Sequence, residues 1–493
     1  MNKIPTIRIL GVAALLCSQG ALAANWLAIQ GTEPEKVTHR FFGALSLQYS
    51  NYVGCNPLSG LARPNGTPTG DTSSGPGLNN GYYVNSCRVG PELHNDNQGF
   101  NLDALVVGAR GNIIPGKINY FLTANFGMNG ANYEPLNTNR EYFASLTDAS
   151  VTLNYIPGAR LRMGLFKKPG PEEMMESIRM KDFIYPTDFV RRDQIERFVN
   201  GSAKGTNPIA GQGYAGSIST QGYDADVGRD WGVQLFDSFK QGKWTHSYAA
   251  MLGNGNGIHH SDNNNEKDLN LYFSSEYDLP GGKGAMKNGV KFYAYHQSGV
   301  RNYIIDAAGT KSEDFDRIRY GFGVHALGRF FGESGHKHRL GFDLMFAEGM
   351  ILQSATTSCT DCPYGGHIQI ASERENKAKG LSLEYGYYLN KNWQFDVRYS
   401  KNNLLYETIN NQYWSDSDER VITEVALGTT YHIAPKTSLT LNYVFRNSAA
   451  PNPVTTSSGN AAAINNAAVK TSNANNATSS LGDVIGLRLR HIF

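Results

Sequence analysis

The chain has 493 residues, with 45 Lys and Arg against 43 Asp and Glu and a formal charge of +2. Such balance offers no general argument for nucleic-acid or acidic partners. Mean hydropathy is −0.40 and no stretch reads as a membrane-crossing helix, while 27 Tyr and 23 Phe suit β-strands.

Residues 1–23 read as an export signal. Lys3 and Arg8 mark a basic start, 9–17 is a short apolar run, and Ala21-Leu22-Ala23 is a small-x-small cleavage site. Cys17 does not make this a lipoprotein signal, because Leu16 occupies the place where lipobox cleavage wants a small residue. The mature chain is expected to begin near Ala24. Without Lys3 and Arg8 it carries 45 − 2 = 43 bases against 43 acids.

From residue 24 to 493 the pattern predicts one domain with sixteen alternating segments of about ten residues, the length a tilted membrane strand needs. In chain order they are 41–49, 100–110, 117–128, 146–155, 160–166, 230–239, 244–253, 268–277, 290–297, 317–330, 338–347, 379–389, 393–400, 421–432, 437–446 and 483–493. In the third, Ile118, Tyr120, Leu122, Ala124 and Phe126 fall on one face, and Asn119, Thr123 and Asn125 on the other. Short turns such as 111–116, 156–159 and 240–243 alternate with long polar stretches such as 50–99, 129–145, 167–229 and 447–482. A β-sandwich also alternates, but it does not call for eight long loops set against shorter turns. The expected fold is all-β: a transmembrane antiparallel β-barrel of 16 strands, closed without an edge and wide enough for a water-filled lumen.

Four cysteines remain after the signal. Cys55 and Cys87 share one loop, Cys359 and Cys362 another, and in an exported chain each pair is expected as a disulfide staple. Cys359-Thr360-Asp361-Cys362 lacks the following His of a haem site and a second CxxC for zinc, so no metal and no cofactor is expected. Catalytic signatures are missing too. His259-His260-Ser261-Asp262 has triad residue types, yet neighbours in one loop are a poor triad. The loop 447–482, dominated by Asn, Ala, Ser and Thr, reads as solvated filler, with a receptor role for phage or a partner as the alternative.

The stretch 167–229 is the third and longest external loop, too long for an idle connection. The barrel pattern resembles that of general porins, whose third loop folds into the lumen and narrows it, and the resemblance implies the same here, with a helix starting at Glu172. The candidate constriction residues are Lys167, Lys168, Arg179, Lys181, Arg191, Arg192 and Arg197. Between 177 and 204 six bases face four acids, and rings of basic side chains favour anions. By parity the strands point Arg162, Arg319, Arg398, Arg446, Arg488 and Arg490 inward as pore wall, together with Lys291, Arg329 and Arg339. Asp103, Asp148, Asp230, Asp268, Glu276, Asp343, Glu384, Asp396 and Glu424 are expected inward as well, so the wall charges balance.

The last segment sets Ile485, Leu487, Leu489, His491 and Phe493 on one face and Arg488 and Arg490 on the other, ending on an aromatic. This resembles the C-terminal strand of Gram-negative outer-membrane barrels. Arg160-Leu161-Arg162-Met163-Gly164-Leu165-Phe166-Lys167-Lys168-Pro169 and Asp230-Trp231-Gly232-Val233-Gln234-Leu235-Phe236 resemble consecutive strands of the phosphate-selective porins O and P. The resemblance implies a sixteen-stranded homotrimer in the outer membrane, in contact with its lipid, passing small hydrophilic or anionic solutes through a basic constriction. The acids of the third loop depart from that pattern, so the expected anion preference is modest. The alternative is a barrel that serves as scaffold or sheath for a partner such as an electron-transfer cytochrome.

Overall fold

The computed structural model describes residues 27, 30–53, 98–127, 144–178, 180–194, 228–258, 262, 264–282, 286–304, 312–331, 335–354, 368–410, 414–452 and 482–493. Sixteen strands form one closed antiparallel barrel. They are β1 (Arg40–Val53), β2 (Gln98–Ile114), β3 (Ile118–Phe126), β4 (Ser145–Ile156), β5 (Ala159–Lys167), β6 (Arg229–Gln241), β7 (Trp244–Gly253), β8 (Asp268–Asp278), β9 (Gly289–Ile304), β10 (Ser312–Gly328) and β11 (Lys337–Glu348), then β14 (Lys377–Tyr388), β15 (Trp393–Glu407), β16 (Arg420–Ala434), β17 (Thr437–Ala449) and β18 (Asp483–Ile492). A separate two-stranded hairpin, β12 (Ile351–Ser354) with β13 (Ile368–Ala371), interrupts the series, and β11 pairs β14 directly.

Each barrel strand bonds its sequence neighbours, and β1 pairs β18 to close the ring. Closure leaves no strand edge unpaired, which is what allows strands to stand in lipid. Phe493 completes the seam. Its backbone exchanges two 3.1 Å hydrogen bonds with Gly43, and its ring covers Gly43 so closely that a Cβ there would sit 2.3 Å from Cζ.

All sixteen expected strands occur, several longer than expected. β9 runs on to Ile304 and β10 starts at Ser312, well beyond 290–297 and 317–330. The ladder continues past the lipid, where the outward face no longer has to be apolar, so the alternation fades before the strand ends. The β12–β13 hairpin has no period to read in four residues per strand.

The alternation is clearest along β16. Glu424, Ala426 and Thr430 are buried on the inner face, while Leu427 and Tyr431 stand exposed on the outer one. Trp231, Trp244, Trp393, Phe395 and Tyr431 also face outward, and Trp393 lies against Tyr431 at 4.8 Å. An apolar outer belt with aromatic residues is the lipid-facing surface of a membrane barrel. Arg329 is a correction: it lies one residue beyond β10 and is exposed, because parity fixes direction only while the pleat continues.

Several wall arginines are buried: Arg162, Arg319 and Arg488 are each about 2% exposed, and the last two bond chain that enters the barrel. The four cysteines, the stretch 259–261 and residues 453–480 lie outside the described residues.

Candidate functional site

The inserted loop starts where β5 ends. Lys167 turns its ammonium back onto the short helix Glu172–Met175, donating to the carbonyls of Met174 (2.9 Å) and Glu176 (2.9 Å). A helix this short leaves most of its C-terminal carbonyls without partners, and a lysine at that end satisfies them. Lys168 is fully buried at the root, where its amide donates to Gly228 O at 2.8 Å. The helix is fixed by Glu172, which pairs with Lys291 of β9 (2.6 Å) and accepts a short bond from Tyr272 of β8.

From there the loop crosses the lumen and touches the wall on several sides. Arg490 of β18 donates to the carbonyls of Ile178 (2.7 Å) and Lys181 (3.1 Å). Arg488 donates to Lys181 O (2.7 Å) and Phe183 O (3.4 Å). The amide of Ile184 donates to Asn442 of β17 (2.6 Å), and Tyr185 OH bonds Ser50 of β1 (2.6 Å). Arg398 of β15 donates to Tyr185 O (2.7 Å) and Glu173 (3.2 Å), with its guanidinium 4.5 Å above the Phe183 ring. A π-helical turn, Val190–Gln194, then meets β9 and β10. Arg317 donates to Gln194 O (3.0 Å), Arg319 to Asp193 O, and Tyr295 to the Gln194 side chain (2.7 Å).

Glycines on the wall make room for this passage. A Cβ at Gly380 would lie 2.3 Å from Phe189, and one at Gly486 would lie 2.7 Å from the Tyr185 hydroxyl. Met174, Met175, Phe189 and Val190 share one buried apolar cluster with Tyr272, Tyr293, Met345 and Trp414. The loop is therefore packed as a core is packed, by apolar burial and satisfied carbonyls together.

Acids and bases interleave in the remaining cleft. Arg339 of β11 is held by Glu176 (3.4 Å), Asp182 and Glu384 (3.0 Å). His325 bonds Asp343 at 2.9 Å. Five carboxylates (Glu173, Glu176, Asp182, Asp343 and Glu384) and three cations (Lys181, Arg339 and Arg398) line the cleft. Near Lys181 stand Arg488 and Arg490, which among the described residues bond only backbone carbonyls. Lys181 is half-buried, and its ammonium has no bonding partner among the described residues.

Burial pushes the Glu176 carboxyl up to about 7, with Glu384 adding to the rise against the pull of Arg339. Glu173 is also raised by burial, against the pull of Arg398. Asp188 and Asp193 share the Asn402 amide, at 2.8 and 3.0 Å. Burial would raise Asp188, but the guanidinium groups of Arg192 and Arg191 hold it below the usual carboxylate range. Asp193 is pushed up to about 7, by burial first, with Arg319 and Arg192 pulling the other way.

The sequence candidates divide accordingly. Lys181 and the wall residues Arg398, Arg488 and Arg490 meet at the loop. Arg191 and Arg192 are engaged by Asp188 at 2.9 and 3.2 Å. Lys167 caps the short helix and Lys168 lies in the root. Arg162 stacks over Phe166 (4.4 Å) and donates to Ser150 (3.1 Å). Arg446 pairs with Glu424 at 3.1 Å. Arg179 and Arg197 lie outside the described residues. Left out of the candidate set were Glu173, Glu176, Asp182 and Asn402. Parity placed Arg339 on the wall, but nothing in the sequence says which loop acid reaches it.

The two segments that carried the family resemblance are neighbouring strands here, paired from Arg160↔Phe236 to Phe166↔Asp230. Over most of its length the chain is similar to solved outer-membrane proteins. One is the channel DcaP of Acinetobacter baumannii (11% identity, 93% of this chain and 97% of that one, TM-score 0.44). Another is an anion-selective porin from Comamonas acidovorans (12% identity, 93% and 100%, TM-score 0.42). A third is OprB of Pseudomonas putida (11% identity, 92% and 94%, TM-score 0.46). No protein-family model matches the chain, and no curated protein sequence does either.

Proposed function

We propose that this chain is an outer-membrane porin, a passive diffusion channel for small hydrophilic solutes. The observation that carries this reading is the closed membrane barrel whose lumen is crossed by one inserted loop, pinned on several sides of the wall. A barrel so built separates two roles: the wall holds the lipid back, and the loop decides what passes.

A modest preference for anions such as phosphate is the finer proposal. Adding Arg488 and Arg490 to the cations of the cleft gives five against its five carboxylates. With Glu176 raised to about 7, that balance tilts positive at neutral pH. The preference is small because salt at about 0.15 M screens exposed charges beyond about 8 Å. A homotrimer, as the family resemblance implies, belongs to the same proposal. The sheath reading is disfavoured by a lumen that already holds its own chain.

Purified protein in planar bilayers is expected to give ohmic steps of defined conductance. Reversal potentials in a KCl gradient should be displaced slightly toward chloride. Silent bilayers from folded, heat-modifiable protein would overturn the channel. Stoichiometric recovery of a haem protein from native membranes would favour the sheath.

A further inference from the structure

A second segment of chain enters the barrel from the opposite mouth. Leu27 and residues 30–39 run along the inner face of β2 to β5, at the ends of those strands that carry the short turns. The contacts are specific. Arg160, at the start of β5, donates to Leu27 O (3.0 Å) and Gln30 O, while Asp237 at 3.1 Å holds its Nε. Asn154 donates to Gly31 O at 2.7 Å. Asn112 donates to Pro34 O (2.7 Å) and Val37 O (2.8 Å), and its amide also bonds Val37 O. Glu33 pairs with Arg110 at 2.8 Å.

The wall donors are themselves linked. Asn154 donates to Asn119 (3.0 Å) and Asn119 to Asn112 (2.6 Å), a ladder of amides across three strands. Gly31 has φ +68, and a Cβ there would meet Thr152 at 2.6 Å, so the segment lies flush against the wall. Leu27 is fully buried in the apolar cluster that also holds Met174 and Met175 of the inserted loop. Backbone carbonyls with matched wall donors mark a built element rather than a frayed tail.

Taking the chain as a channel, we infer that this segment is a strap forming a second constriction, in series with the loop, at the mouth with short turns. Pro34, Glu35 and Lys36 of the segment are exposed. Any solute that clears the loop passes this edge, so the strap limits conductance while the loop charges set ionic preference.

The test is single-channel recording of the full chain carrying Asn112→Ala and Asn154→Ala, with amide exchange followed over residues 30–37. Faster exchange together with a rise in conductance and an unchanged reversal potential is the expected result. Faster exchange with unchanged conductance overturns the strap's role. Should exchange stay the same or the variant fail to fold, a chain refolded without residues 27–36 is read instead. Conductance above that of the intact chain supports the strap, and conductance equal to it overturns the strap. An intact chain that conducts nothing overturns the channel reading and the strap with it. A conducting chain whose variants all conduct alike overturns the strap alone.

Discussion

Along β16 the backbone is bonded to its neighbours at almost every residue, and side chains need only the right polarity for the face they occupy. Between Ile178 and Gln194 the inserted loop has no such ladder, and its carbonyls depend on donors sent from the wall. Arg490 reaches Ile178, Arg488 reaches Lys181, Arg398 reaches Tyr185, and Arg317 and Arg319 reach Gln194 and Asp193. A guanidinium offers five donors in a fixed fork, which is why arginine suits this task. Inward arginines in this barrel thus serve two ends at once: they replace a missing sheet, and they bring charge to the lumen.

That contrast can be broken from either side. The largest effect is expected from Arg398→Ala. It leaves the half-buried Glu173 with only Thr187 and removes the Tyr185 anchor. Removing one partner of a buried pair costs about 3–5 kcal/mol, here borne by loop docking. Amide exchange over 183–190 should quicken while the urea midpoint of the barrel holds. Leu427→Arg, on the lipid face midway along β16, should do the reverse. It is expected to lower barrel stability in vesicles by about 2–4 kcal/mol, with the loop undisturbed in molecules that stay folded.

Smaller effects test the charges alone. Glu176 and Asp193 both sit at about 7, so lowering the pH from 8 to 5 protonates them and removes negative charge. Asp188 stays ionised throughout, because it is held below the usual range. Reversal potentials should therefore move toward anions as pH falls, with the midpoint near 7. No movement between pH 8 and 5 would separate these carboxyls from the permeation path. The smallest shift is expected from Arg191→Ala with Arg192→Ala, which leaves Asp188 to Asn402 and moves the potential toward cations. If the potential stays put while heat-modifiability is lost, those arginines are pins and no more.

How much was legible follows from the same division. The strands were, because lipid on one side forces a period of two that survives in Leu487, Leu489 and Arg488 of β18 or in Tyr120 and Thr123 of β3. Loop entry into the lumen was implied by the resemblance to porins, with length marking the loop as more than a connection, and the helix start was read at Glu172. The partners of the loop were not. Arg339 gathers Glu176, Asp182 and Glu384 from two places in the chain, and no local pattern records such a meeting. The strap left no trace either, since most of its bonds run from wall asparagines and Arg160 to backbone carbonyls, which every residue owns. The even count of inward acids and bases said nothing of their pairing, with Arg339 and Arg398 set among acids while Arg488 and Arg490 bond backbone carbonyls.

The central claim is that the wall carries the fold and the pinned loop carries the passage. Single-channel conductance of Arg398→Ala, recorded from protein that keeps its heat-modifiability, tests it most directly. A larger and noisier conductance than that of the unmodified barrel is the expected result. Steps of unchanged size and noise would contradict the account, because the loop would then be no obstacle to the current.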